Sequence, residues 1–327
     1  MRILVTGSAG HLGEALMRQL PHMGHDPVGL DARASPFTDI VGLVTDRALI
    51  QQAMAGIDGV LHTATLHKPH VATHTKQDFI NTNIAGTLVL LEAAAQAGVA
   101  RFVYSSTTST FGAALSPPRG KPAAWIDETV APVPKNIYGV SKTAAEDLCA
   151  LFARTHGLAC IVLRISRFFP EGDDNKATRD GFDNANAKAN EFLFRRVDIQ
   201  DVVLAHERAL TCAPPTGFAR FIISAPTPFG RPDLIALRTD PGTVVAQYFP
   251  DFRAIYADAG YTMFADIERV YVSARAQSVL GWVPKYGFGR ILQQIAAKEP
   301  IGSALMRAVG IKGYHAETFA DGPYPVE

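Results

Sequence analysis

Short apolar runs recur along the first half of the chain, and the longer stretches between them return apolar residues every three or four positions. The runs at 2–5, 27–30, 59–62, 101–105 and 160–163 are rich in Val, Ile and Leu. Continuous runs of that length predict strands covered on both faces. The stretches 12–20, 48–55, 83–97 and 141–155 predict helices. Strand and helix in alternation predict an α/β fold built on a parallel, doubly wound sheet. After about Phe169 the pattern changes: 170–190 is rich in Asn, Asp and Lys and reads as a loop or mobile cap. A helix at 201–210 and a strand at 220–224 return to the first pattern, whereas from Ala225 onward aromatics and turn residues mix without clear periodicity. The end, 314–327, reads as irregular. The expected division is a sheet domain over 1–169, with 201–224 returning to it, and a smaller domain made mostly of 170–327.

Composition narrows the function classes. The 327 residues are 47% hydrophobic, enough for a sizeable core, and 31 basic side chains balance 31 acidic ones. A nucleic-acid partner is not expected without a basic excess, nor a membrane surface without a polybasic run. No apolar stretch reaches the roughly 18 residues of a membrane span, and the start leads directly into a strand rather than a signal peptide. A cytoplasmic location is therefore expected. Cys149, Cys160 and Cys212 are odd in number and widely spaced, which predicts reduced core thiols rather than disulfides or a zinc site.

The first strand runs into Thr6-Gly7-Ser8-Ala9-Gly10-His11-Leu12-Gly13. A strand that turns sharply into a helix can aim that helix's first amides at a pyrophosphate. Side chains at Gly7 or Gly10 would crowd the phosphate, and one at Gly13 would hold helix and sheet apart. Gly7, Gly10, His11, Leu12 and Gly13 are thus candidate cofactor contacts. Asp31 closes the second strand, eighteen residues past Gly13. A carboxylate there accepts hydrogen bonds from ribose hydroxyls and repels a 2′-phosphate, so NAD is expected rather than NADP; Arg33 is the one nearby residue of opposite tendency.

Tyr138 and Lys142 stand four residues apart on a predicted helix and so share a face. A phenol near pKa 10 is a poor base at neutral pH, and a neighbouring ammonium is expected to lower it. Tyr138 would then exchange a proton with a substrate hydroxyl as the carbon gains or loses hydride. The strand at 101–105 ends in the hydroxyl cluster Ser106-Thr107-Thr108-Ser109-Thr110 before Phe111-Gly112, at the sheet end where open α/β folds hold ligands.

In these motifs the chain resembles the extended short-chain dehydrogenases/reductases, particularly their NAD-dependent epimerase/dehydratase group. The resemblance covers about residues 1–210 and returns in Leu280-Gly281-Trp282-Val283-Pro284. It rests on Thr6-Gly7-x-x-Gly10-x-x-Gly13, Asn83-x-x-Gly86-Thr87, Ser105-Ser106-Thr107, Tyr138-x-x-x-Lys142 and Leu163-Arg164. It implies a Rossmann-type sheet with a smaller C-terminal substrate domain. It also implies Thr107, Tyr138 and Lys142 as catalytic residues, and Ala64 as the small residue that lets the cofactor approach. Leu43 departs from the Asp often found near the adenine. A homodimer joined through the helices at 83–97 and 141–155 is a further implication.

Three reactions follow from the resemblance: epimerisation of a sugar nucleotide, dehydration or decarboxylation, and dehydrogenation of a sugar acid or polyol. Thr108 and Ser109 occupy the positions where family dehydratases and decarboxylases carry acid/base groups, which disfavours elimination. The same set leaves epimerisation as the leading expectation. Arg167 replaces an Asn common in the epimerases; a guanidinium there suits a nucleotide pyrophosphate and equally a sugar acid's carboxylate, and Arg195-Arg196 raise the same question. Arg167 and Arg196 are accordingly candidate substrate contacts. A non-catalytic NAD sensor on the same scaffold is the remaining reading, which intact Thr107, Tyr138 and Lys142 oppose. His67, His70 and His74 cluster around Pro69 and read as loop histidines; no metal is expected, and His62 reads as a packed strand residue.

Overall fold

A computed structural model describes residues 1–212 and 217–313 together with Phe319. The irregular end expected at 314–327 therefore lies, Phe319 apart, outside the described residues. In chain order the strands are β1 (Arg2–Thr6), β2 (Asp26–Asp31), β3 (Ile40–Val41), β4 (Gly59–His62), β5 (Arg101–Thr107), β6 (Ala124–Ile126), β7 (Ala159–Ile165), β8 (Phe218–Ile223) and β9 (Arg269–Tyr271). Seven of them form one parallel sheet in the order β3-β2-β1-β4-β5-β7-β8, and β6 pairs with β9 in a separate parallel ribbon. The order reverses between β1 and β4, and such a switch opens a crevice at the carboxyl ends of the strands.

The helices are α1 (His11–Gln19), α2 (Arg47–Ala53), α3 (Lys76–Phe79), α4 (Gly86–Gln96), α5 (Ile137–His156), α6 (Lys176–Gly181), α7 (Asn184–Glu191), α8 (Ile199–Thr211), α9 (Pro241–Tyr248), α10 (Phe252–Ala259), α11 (Ala274–Leu280), α12 (Phe288–Ala296) and α13 (Ala304–Val309). Because strand side chains alternate in direction, the sheet buries two faces. Val5, Leu61, Val103 and Ile161 pack against Leu12 and Leu16 of α1, Val203 of α8 and Leu280 of α11. Leu4, Val60, Phe102 and Val162 pack against Ile50 of α2, Leu90 and Ala94 of α4, and Ala145 and Cys149 of α5. Phe192, Phe194, Leu237, Val245, Phe252, Phe288 and Ile291 build a third core beside the sheet.

The second half is more ordered than its sequence predicts. The polar stretch 170–190 contains α6 and most of α7, and Asn175 and Asp183 serve as their caps. Asn175 Oδ1 accepts from the Ala177 amide at 2.9 Å, and Asp183 Oδ1 accepts from the Ala185 amide at 2.8 Å. Such residues satisfy the first amides of a helix, so a cap-rich run of short helices reads as loop. Residues beyond 225 form four more helices before α13. In α12 the buried Phe288, Ile291, Leu292 and Ile295 do follow helical spacing, but over only two turns. Cys149 and Cys160 are buried thiols as expected, whereas Cys212, at the end of α8, is exposed. None of the described helices is long and apolar enough to cross a membrane.

Candidate active site

A cavity of about 1700 Å³ opens at the carboxyl end of the sheet. It is larger than the roughly 300–1,000 Å³ that holds a drug-sized ligand. Gly7, Gly10, His11, Leu12, Gly13, Asp31 and Ala64 line one end, and Thr107, Tyr138 and Lys142 line the middle. The glycine loop has the shape its sequence predicts. Gly7 sits at φ +75°, and a Cβ there would stand 2.7 Å from the Ala64 amide nitrogen. A Cβ at Gly13 would stand 1.9 Å from the Gly7 carbonyl oxygen. Neither position admits a side chain without moving backbone. The N-cap of α1, Gly10, offers no side chain to the first amides, which are left for a ligand. Asp31 ends β2 at the cavity wall. Its Oδ2 accepts from the Ala9 amide at 3.0 Å and its Oδ1 from the Arg33 amide at 2.9 Å. These bonds fix the carboxylate and leave lone pairs on both oxygens. The cradle and the carboxylate fit a dinucleotide with free ribose hydroxyls.

Thr107 is the last residue of β5, where the sheet ends at the cavity. Tyr138 and Lys142 project from the first turns of α5, whose N-cap, Asn136, accepts from the Gly139 amide at 3.1 Å. The periodicity of α5 buries Tyr138, Lys142, Glu146 and Cys149 along one face. Tyr138 is 7% exposed and Lys142 1%. Burial pushes the Tyr138 phenol up to about 12, opposed by its hydrogen bond with Thr107. Burial draws the Lys142 ammonium down to about 7, opposed by the charge of Glu146. This corrects the expectation that Lys142 lowers the phenol: both groups are desolvated, each toward its neutral form, and a lysine near 7 is only partly charged. The Lys142 Nζ rests 4.4 Å from the centre of the Tyr104 ring.

The sequence pattern of the NAD dependent epimerase/dehydratase family matches residues 3–211. The chain belongs to that family. A UDP-glucose 4-epimerase of Rhizobium leguminosarum bv. trifolii is 33% identical over 171 residues, which is 50% of this chain and 50% of that protein. The uronate dehydrogenase of Pseudomonas putida is 26% identical over 176 residues, 52% of this chain and 62% of that protein. The chain thus matches about half the length of its first curated relatives. A short-chain dehydrogenase/reductase superfamily protein of Agrobacterium tumefaciens, solved with bound NAD, has a TM-score of 0.65 and 22% identity, and covers 91% of this chain and 96% of that one. That likeness shows the fold.

Within this family site, the arginines singled out in the sequence are held by carboxylates. Arg167 lines the cavity, but its Nη1 donates to Asp174 Oδ1 at 2.9 Å, and Lys68 Nζ reaches Asp174 Oδ2 at 2.6 Å. Arg196 lies away from the cavity lining, buried, with Nε donating to Glu191 Oε2 at 2.6 Å and Nη1 to the Phe169 carbonyl at 2.9 Å. Arg195 lines the cavity in its place and pairs with Asp173 and Glu191, each at 2.8 Å. His67, His70 and His74 line the cavity on and beside a short 3₁₀ turn (Lys68–Ala72). The His67 amide donates to His70 Nδ1 at 2.8 Å, and the His67 ring lies 6.3 Å from that of Tyr138 at 24°. Burial, then the charges of His70, Lys142 and His11, hold His67 well below its usual value. Among the described residues no group of His, Cys, Asp and Glu is arranged to hold a metal. His62 is buried between Thr6 and Thr87, at 2.8 and 2.9 Å, and burial lowers it to about 3.

Sequence reasoning missed Glu146. It is wholly buried one turn beyond Lys142 and accepts from Ser106 Oγ at 2.6 Å, Arg164 Nη2 at 2.7 Å and Arg220 Nε at 2.9 Å. It thereby ties α5 to β5 immediately before Thr107. The signal was its spacing, four residues past Lys142 on the same helical face. The Leu280-Gly281-Trp282 motif also gains a structural role: Trp282 Nε1 donates to the Asp201 carbonyl at 2.9 Å, docking the C-terminal part on α8.

Proposed function

We propose that this chain is an NAD-dependent sugar-nucleotide epimerase, similar to the UDP-glucose 4-epimerases, in which Tyr138 is the acid/base. One observation carries the reading: Thr107, Tyr138 and Lys142 line one cavity that is continuous with the glycine loop. Bound NAD would supply the hydride acceptor and, on return, the donor. As a ketone forms, Tyr138 would pass its own proton to the neutral amine of Lys142 while its Oη takes the proton of the substrate hydroxyl, and both transfers would reverse once the ketone has turned its other face. Thr107 would orient the reacting oxygen, and Lys142 would help carry the proton to and from Tyr138. Hydroxyls rather than carboxylates at 108 and 109 support epimerisation over elimination, and the similarity to UDP-glucose 4-epimerases supports the substrate class.

The second reading, dehydrogenation of a sugar acid, is favoured by Arg167 at the cavity wall and by the likeness to a uronate dehydrogenase. Against it stands the pairing of Arg167 with Asp174. We further assign cofactor binding to 1–169 with 201–224, and substrate binding mostly to 170–327. The pair α4 and α5, with Val140 and Leu151 exposed on α5, is proposed as a homodimer contact. The deciding experiment is to look for nucleotide carried through purification, then to follow NADH with UDP-sugars and sugar acids. Retained NAD and an epimeric product without net NADH support the epimerase. NADH accumulating with a sugar acid overturns it in favour of the dehydrogenase.

A further inference from the structure

We propose that Lys312 and Gly313 form an outer wall of the dinucleotide site, a strap that slows release of the bound cofactor; the proposal rests on the NAD reading above. After α13 the chain turns at Gly310, φ +63°, and runs back across the start of α1. Lys312 and Gly313 line the same cavity as Gly7 and Gly10. The docking uses both backbone and side chain. The Lys312 amide reaches His11 Nε2 at 3.2 Å, and its ammonium pairs with Glu14. These contacts join residues about 300 apart in sequence, next to the amides that face an anion.

Charge explains the choice of partner. Glu14 lies in the first turn of α1 and is buried. A carboxylate there opposes the approach of a pyrophosphate to the amides that would hold it. Lys312, together with Arg18 at 2.8 Å, offsets that charge. The loop after β7 meets the strap at the same ring nitrogen, which serves one partner at a time: without a proton it accepts from the Lys312 amide, and with one it donates to Glu171. The ring nitrogen His11 Nε2 stands 2.9 Å from Glu171 Oε1. Burial pushes the Glu171 carboxyl up, but the His11 ring and the Lys312 amide outweigh it and hold the group below its usual range. Glycine loop, post-β7 loop and strap therefore meet at one buried point. An extended dinucleotide seated under that point leaves only when the strap undocks. Slow release suits an enzyme that regenerates its NAD in each cycle.

The test is the rate of NADH release by stopped-flow fluorescence, with NAD affinity by calorimetry. It compares the full chain with a chain ending at Gly310 and with Lys312→Pro, which removes the docking amide while keeping the segment. The expected result is release about tenfold faster from both variants, since contacts of this kind act mainly on dissociation. Lys312→Pro carries the test if the shortened chain does not fold. NAD binding with equal release from the full chain and a folded variant overturns the strap alone. Absence of NAD binding by the full chain overturns the cofactor reading and the strap with it.

Discussion

The reacting face of α5 and the ionic cluster around Glu191 are equally buried yet opposite in charge state. On α5, desolvation wins: Tyr138 stands at about 12 and Lys142 at about 7. In the cluster, partners win. Glu191 is 1% exposed, and burial pushes its carboxyl up, but Arg196 at 2.6 Å, Arg195 at 2.8 Å and Arg167 at 3.8 Å hold it well below the usual range. The carboxylate whose charge opposes the burial of Lys142 is Glu146, and it is already shared by Arg164 and Arg220. Burial alone thus does not set polarity; the number of unshared opposite charges does. One region is left able to exchange a proton near neutrality, and the other is locked as ion pairs that shape a wall.

The comparison breaks first at Tyr138. Tyr138→Phe keeps the packing and removes the hydroxyl assigned as the acid/base. Turnover should fall about 10³-fold or more while NAD affinity stays unchanged. A variant as active as the parent would move the acid/base elsewhere, with His67 the nearest alternative. The cluster is tested next by Glu191→Gln, which leaves Arg195 and Arg196 facing each other across a neutral amide. Loss of one partner from a buried ion pair is expected to cost about 3 kcal/mol or more, read from the urea midpoint. A loss well under that would mean that water reaches these arginines and that the wall is not locked.

The third test uses proton linkage at Lys142. Its pKa is near 7 in the folded chain and 10.5 as the ordinary value, so between those limits the unfolded chain binds more protons. Stability then rises with pH across that window, by at most about 1.4 kcal/mol per unit. Relative to Lys142→Met, the native chain should gain about 1 kcal/mol between pH 7 and 8. A difference that stays flat would show that the folded protein keeps Lys142 charged, and would remove the contrast with the cluster.

Legibility in the sequence followed the same divide. The sheet half was readable because long apolar runs and one glycine spacing each answer a local need: Gly13 must be glycine because its Cβ would strike the Gly7 carbonyl. Tyr138 and Lys142 were readable as a pair on one helical face. Their protonation states were not, because burial is a property of the folded chain. Nor could the sequence choose between Arg195 and Arg196 as a cavity residue, since the short bridge that joins Arg196 to Arg167 fixes which side chain turns inward. β3 is two residues long, too short for any pattern, and is held by its pairing with β2 and by Ile40 against the core.

The smallest expected effect concerns Asp174, where the ionic wall meets the substrate space. Its carboxylate sits between Lys68 and Arg167, and those charges hold it far below its usual range against the upward push of burial. Asp174→Asn keeps the shape and removes one negative charge from between Lys68 and Arg167, while Arg167 keeps Asp173 and Glu191 nearby. If Arg167 is a receptor kept occupied by an internal carboxylate, the KM for a sugar acid should fall by about threefold, an effect of partly exposed ion pairs that weakens with salt. The KM for a neutral sugar nucleotide head group should not change. An unchanged KM for both would make Arg167 a wall residue only and leave the reacting face of α5 as the sole chemistry of the cavity.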